Sequence, residues 1–101
     1  LAFMQRSRSG HKTELTQLAI GDVRVLHMPG ELFVEYQLAA KRMRPKLNVA
    51  MAAYGDYGPF YIGTERAYSE GGYETQPRSS NVGPEVETVL MNGIRKLLSG
   101  N

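Results

Sequence analysis

Residues 23–53 restrict the fold of this chain more than any other stretch. Residues 23–28, VRVLHM, read as a strand with Val23, Val25 and His27 on one face and Arg24, Leu26 and Met28 on the other. Pro29-Gly30 stops that strand. Residues 31–44, ELFVEYQLAAKRMR, then set Leu32, Tyr36, Ala39, Ala40 and Met43 at helical spacing, with Lys41, Arg42 and Arg44 in the last turn, where the helix dipole favours cations. Pro45 ends the helix, and residues 47–53, LNVAMAA, form a short apolar run that predicts a strand buried on both faces. Strand, helix, strand in this order predicts a parallel pair joined by a right-handed crossover.

The flanking sequence extends that unit at both ends. Residues 12–20, KTELTQLAI, place Leu15, Leu18 and Ile20 among polar residues in an imperfect alternation, and Gly21-Asp22 leaves room only for a tight turn, so an antiparallel hairpin with residues 23–28 is expected. The last element carries the strongest helix signal. Gly83 stands as N-cap, Pro84 at the first helical position and Glu85 and Glu87 in the first turn, ahead of Val86, Val89, Leu90, Ile94, Leu97 and Leu98 at spacings of three and four. Arg95, Lys96 and Gly100 complete its stop signal. The expected fold is α/β (α+β): a small mixed three-stranded sheet in the order β-β-α-β-loop-α, with two helices packed on it. Such a sheet keeps one face and one edge open, as a fragment of a larger domain would. Residues 1–11 read as a tail or incomplete element and residues 12–101 as one subdomain. The chain begins with Leu1 rather than Met, which is expected of a domain excised from a longer protein.

Residues 54–74, YGDYGPFYIGTERAYSEGGYE, hold five of the six tyrosines and five glycines. A loop of about twenty residues inside a small domain is either functional or disordered, and this one is too aromatic for disorder. It is expected to carry a site. Residues 75–85, TQPRSSNVGPE, read as extended and irregular.

Charge argues against nucleic acid. The net charge is only +2, and the basic residues are scattered apart from Arg6, Arg8, His11 and Lys12. Cysteine is absent, which removes disulfides and thiolate chemistry, and no apolar run reaches membrane-spanning length.

For chemistry, the turn Pro29-Gly30-Glu31 puts a carboxylate in the expected first turn of a helix, where the dipole favours its ionised, metal-binding form. The same residue also fits an ordinary helix N-terminal glutamate. Tyr54, Tyr57, Tyr61, Tyr68 and Tyr73 could offer phenolic donors or, beside a cation, a phenolate ligand, or they could simply pack with the hydroxyl at the rim. His27, four residues before Glu31, fits either a metal pair or an ordinary strand histidine, and His11 sits in a polar tail. A zinc site takes three or four protein ligands, so the residues by themselves reach only a site-bearing piece of an α/β domain.

The strings GDVRVLHMPGE (residues 21–31) and AAYGDYGPFYIGT (residues 52–64), followed by Tyr68, Tyr73-Glu74 and Gly83-Pro84 in fixed order, resemble the neutral/alkaline ceramidase family, and most of all bacterial ceramidase-like proteins. These are zinc-dependent amidases that hydrolyse the N-acyl bond of ceramide. The resemblance covers residues 15–98, the C-terminal part of the family's catalytic domain. It implies that Glu31 and Tyr61 are zinc ligands and that Tyr73 is a catalytic tyrosine, hydrogen-bonding near the scissile amide and stabilising the oxyanion. It further implies zinc in the full-length parent and none in this fragment, and a lipid amide as substrate. The partner would be the upstream part of the same polypeptide, which carries the family's two zinc-binding histidines. Family members are often secreted or periplasmic. Two departures stand out: nothing here matches the histidine motifs, His27 not being a ligand position, and the stretch from Glu31 to Tyr61 is shorter than in the ceramidases proper. The alternative is a non-catalytic binding module whose tyrosine-rich loop recognises a lipid, glycan or peptide.

Overall fold

A computed structural model describes residues 2–10, 12–56 and 58–99, with the side chains of residues 2–4 left aside. Strands β1 (Thr16–Ile20) and β2 (Val23–His27) form the expected antiparallel hairpin, with Leu18 opposite Val25. Strand β4 (Asn48–Ala52) lies parallel to β2 on its other side, Ala50 opposite Val25, which gives the sheet order β1-β2-β4. The crossover runs through helix α2 (Val34–Met43). The fold is therefore mixed α/β, with one small three-stranded mixed sheet and four helices among the described residues.

One face of the sheet is covered. Leu26, Met28 and Val49 meet Tyr36 and Ala40 of α2 and Leu90, Ile94 and Leu98 of helix α4 (Val86–Ser99), and with Ile62 these residues are the buried core. Arg24 shares that face and stays buried by folding its guanidinium back onto the carbonyls of Gly21 and Val23, at 2.8 and 3.0 Å. The opposite face, with Leu18 at 49% and Ile20 at 62% exposure, is open. β4 is therefore buried on one face only. Asn48 and Ala50 are exposed, because β4 is an edge strand with helices on a single side. In α4 the apolar stripe packs as its spacing predicts except at Val89, which is exposed.

A larger departure concerns the start of the crossover helix. Glu31 and Leu32 form a short strand, β3, paired in parallel with β5 (Tyr61–Ile62). The N–H of Glu31 donates to the Phe60 carbonyl at 2.7 Å and that of Phe33 to the Ile62 carbonyl at 3.0 Å. Those N–H groups would otherwise be the unsatisfied donors of a first helical turn; pairing with a distant strand satisfies them better, and α2 begins three residues later. The helix-dipole argument for Glu31 falls with it.

β2 and β3 thus form one strand path, and β4 and β5 another, paired in parallel twice. Between them the second path makes an excursion over residues 53–60. Its inner side is bonded to the turn at Pro29-Gly30: Met28 N–H to Ala52 O, Gly55 N–H to Met28 O, Tyr54 N–H to Gly30 O and Gly30 N–H to Asp56 O, at 2.7–3.0 Å. Residues 65–70 of the expected loop are helix α3 (Glu65–Glu70), and Tyr73–Thr75 is a single 3₁₀ turn. Residues 2–8, within the stretch expected as a tail or incomplete element, form helix α1 (Ala2–Arg8). No helix among the described residues is long and apolar enough to cross a membrane.

Candidate functional site

Glu31 and Tyr61 are thirty positions apart in the chain and directly opposite each other in the β3/β5 ladder. Parallel partners project side chains on the same face of a sheet, so the two side chains leave their strands toward the same side. Tyr73, on the 3₁₀ turn that packs against β5, sets its ring edge-on to Tyr61 with centroids 6.2 Å apart and planes at 75°, a favoured aromatic geometry. All three residues line one open cavity of about 200 Å³, together with Phe60, Arg78 and Ser79. No hydrogen bond or ion pair engages the Glu31 carboxylate among the described residues.

The strand that carries Tyr61 is fixed by buried polar groups. The Gly63 N–H donates to the Tyr68 hydroxyl at 3.3 Å, Tyr68 shares a 2.7 Å hydrogen bond with Ser80 Oγ, and Ser80 Oγ donates to the Tyr61 carbonyl at 2.6 Å. Donor and acceptor roles run in one direction only if Tyr68 donates to Ser80, which makes a polarised chain. Residues 79–81 also run antiparallel beside β5, with Tyr61 N–H to Ser79 O and Asn81 N–H to Pro59 O. From below, the Tyr36 hydroxyl donates to the Gly63 carbonyl at 2.7 Å. Burial, with the Glu87 carboxylate adding to it, holds the Tyr36 phenol protonated far above its ordinary range, so it remains a donor. Tyr68 therefore serves the backbone rather than the cavity.

The excursion over residues 53–60, whose last residue Phe60 lines the cavity, is strained. Tyr54 and Phe60 adopt the left-handed region at φ 67° and 58°, which costs a non-glycine residue about 1–2 kcal/mol. Asp56 anchors it: its carboxylate accepts the Gly58 N–H at 3.0 Å, pairs with Arg6 of α1 at 3.2 Å and accepts from Thr13 at 3.4 Å. The Gly58 N–H first, and then Arg6, hold this carboxyl below the usual carboxylate range. A depressed folded-state pKa gives stability that is present above the unfolded value of about 3.9 and lost as pH falls through the folded one. We expect Asp56→Asn to lower thermal stability at pH 7 and to have little effect in strong acid; an equal loss at both pH values in calorimetry would contradict this role.

His27 does not join the site. It is exposed, its Nδ1 lies 3.3 Å from Thr16 Oγ1, and it lines a separate depression with Asp56 and Lys12. Two candidates, His11 and Tyr57, fall outside the described residues, and Tyr54 is half exposed on the strained excursion. Among the described residues no three His, Cys, Asp or Glu side chains cluster as a metal site. Arg78, Ser79 and Ser80 were not legible beforehand: the TQPRSSN run reads as irregular, and it is the long-range bridge of Phe60 to Ser80 and the hydrogen bonds around it that bring the run beside β5. Comparison with models of known protein families, with curated proteins and with solved structures finds no match. The ceramidase resemblance therefore rests on the spaced motif alone.

Proposed function

We propose that this chain is the C-terminal portion of a zinc-dependent amidohydrolase resembling neutral ceramidase, and that it contributes Glu31, Tyr61 and Tyr73 to a site completed by two histidines of the upstream polypeptide. The observation that carries the reading is the β3/β5 register, which sets Glu31 opposite Tyr61, with the Tyr73 ring edge-on to that of Tyr61 and all three lining one cavity.

The donor set fits a partial metal site. Glu31 and Tyr61 offer two oxygen donors, one of them a carboxylate without a competing partner among the described residues, and zinc accepts carboxylate oxygen alongside nitrogen ligands. Two donors are fewer than the three or four that a zinc centre takes, so this chain by itself holds the ion weakly. When bound, zinc supplies a Lewis acid and lowers the pKa of its water toward neutrality. Glu31 contributes negative charge and Tyr61 a phenol oxygen on the adjacent strand. In this reading Tyr73, whose ring lies edge-on to that of Tyr61 and which is 60% exposed, donates its hydroxyl to charge developing on an amide oxygen. The open apolar sheet face around Leu18 and Ile20 suits an element supplied from elsewhere in the parent.

Zinc titration followed by amide NMR signals tests this. Weak binding is expected, with shifts centred on Glu31 and Tyr61 that disappear in Glu31→Gln and Tyr61→Phe, and no amide hydrolysis by the isolated chain. Submicromolar stoichiometric binding by calorimetry, or shifts centred on His27 and Asp56, would overturn it. The exposure of Tyr73 and of Phe60, at 42%, along the same rim favours the binding module as the second reading, with intact ligand uptake and no localised metal effect.

A further inference from the structure

The candidate cavity holds two opposite charges that do not neutralise each other. Glu31 and Arg78 both line it, yet they form no ion pair. Arg78 is exposed but held: its Nε donates to Gln76 Oε1 at 3.1 Å. It rides on a turn in which the Gln76 carbonyl accepts both the Ser79 N–H at 2.8 Å and the Ser80 N–H at 2.9 Å. With Nε engaged, the two terminal nitrogens carry the free side of the guanidinium fork, and no anionic side chain among the described residues takes it. That is the geometry by which arginine binds a carboxylate through two parallel hydrogen bonds.

We infer that Arg78 makes this cavity selective for small ligands bearing a carboxylate. Combined with the amide-hydrolase proposal, on which this step rests, the substrate class is an N-acyl amino acid. In a cavity of about 200 Å³ an amide near Tyr73 and an anion at Arg78 must be only a few bonds apart, as the amide nitrogen and carboxylate of an acylated amino acid are. The carboxylate selectivity itself needs neither metal nor turnover.

The test is a titration of the 101-residue chain with N-hexanoylglycine and, in parallel, with its neutral primary amide, followed by amide NMR signals. The acid should shift Tyr61, Tyr73, Arg78 and Ser79, and the amide should bind at least about tenfold more weakly, as loss of a charge-assisted contact entails. Arg78→Gln should remove that preference while the rest of the spectrum is unchanged, and Arg78→Lys should restore only part of it. Equal binding of acid and amide, shifts elsewhere, or a preference that survives Arg78→Gln would overturn the inference. Because no zinc is present, carboxylate selectivity without a localised zinc effect would remove the amidase reading and leave the anion site standing. The reverse result would separate them the other way.

Discussion

Gly30→Ala is expected to be among the most damaging single substitutions in this chain. Gly30 sits at φ +62°, and a Cβ there would lie 2.5 Å from the Phe60 carbonyl oxygen and 3.0 Å from Ile62 Cδ1. The oxygen belongs to backbone that accepts the Glu31 N–H, so it cannot move aside without opening the β3/β5 ladder. The left-handed conformation costs about 1–2 kcal/mol for a residue with a Cβ, and forcing a methyl into packed backbone adds about 1–3 kcal/mol. Against the roughly 5–15 kcal/mol by which domains are typically stable, that is a large fraction. Gly21→Ala is the internal control, since Gly21 has φ +59° and a methyl group on it would meet nothing within 4 Å. It should show the conformational cost alone. Chemical denaturation of the two variants checks this, and equal losses would mean that the Gly30 backbone yields more easily than its contacts imply. Where Gly30→Ala remains folded, the signals of Glu31 and Tyr61 should shift together.

Tyr36→Ala is expected to cost about 3–5 kcal/mol, the range for removing a fully buried aromatic ring. Tyr36 has no exposed surface and touches both halves of the molecule, packing in the core and donating to the Gly63 carbonyl. Tyr36→Phe separates the two roles. It keeps the ring and leaves a buried carbonyl without its donor, for about 1–3 kcal/mol. The pH dependence has a definite sign. Burial raises the phenol's pKa above its ordinary value of about 10, so the contribution is intact below that value and is lost as pH rises, because only the unfolded chain can readily release the proton. The stability of the native chain should therefore fall on the alkaline side of about pH 10, and the fall should be shallower in Tyr36→Phe. A variant as stable as the native chain at pH 7 with the same alkaline slope would show that the hydroxyl contributes nothing.

These two positions show how unevenly the structure could be read in advance. The hairpin, the parallel crossover and α4 follow from local pattern: period-two alternation in VRVLH, a helical repeat bounded by Pro45, and the stripe Val86, Leu90, Ile94, Leu97 and Leu98. Tyr36 was visible as a core position of α2, but its hydrogen bond to a residue twenty-seven positions away was not. Glu31 was legible as a candidate and misplaced as a helical residue, because helix propensity over residues 31–33 yields to pairing with a strand that no local signal announces. β4 read as doubly buried since apolar runs look alike whether one face or two are covered. In residues 54–74, abundant glycine and tyrosine marked a candidate site, but α3 and the 3₁₀ turn went unread inside it, and the strained residues Tyr54 and Phe60 lie in backbone that is hydrogen-bonded to residues 28–31 and 79–81.

The sequence by itself determined the elements whose stabilising contacts are near neighbours along the chain, and it singled out Glu31, Tyr61 and Tyr73 as candidates. Only the tertiary structure decided that Glu31 faces Tyr61, that Tyr73 closes on the pair and that Arg78 enters the same cavity. Each of those placements depends on hydrogen bonds or ring contacts that bring a distant segment against β5. Period and propensity report which face a residue shows, not which remote backbone will pair with it.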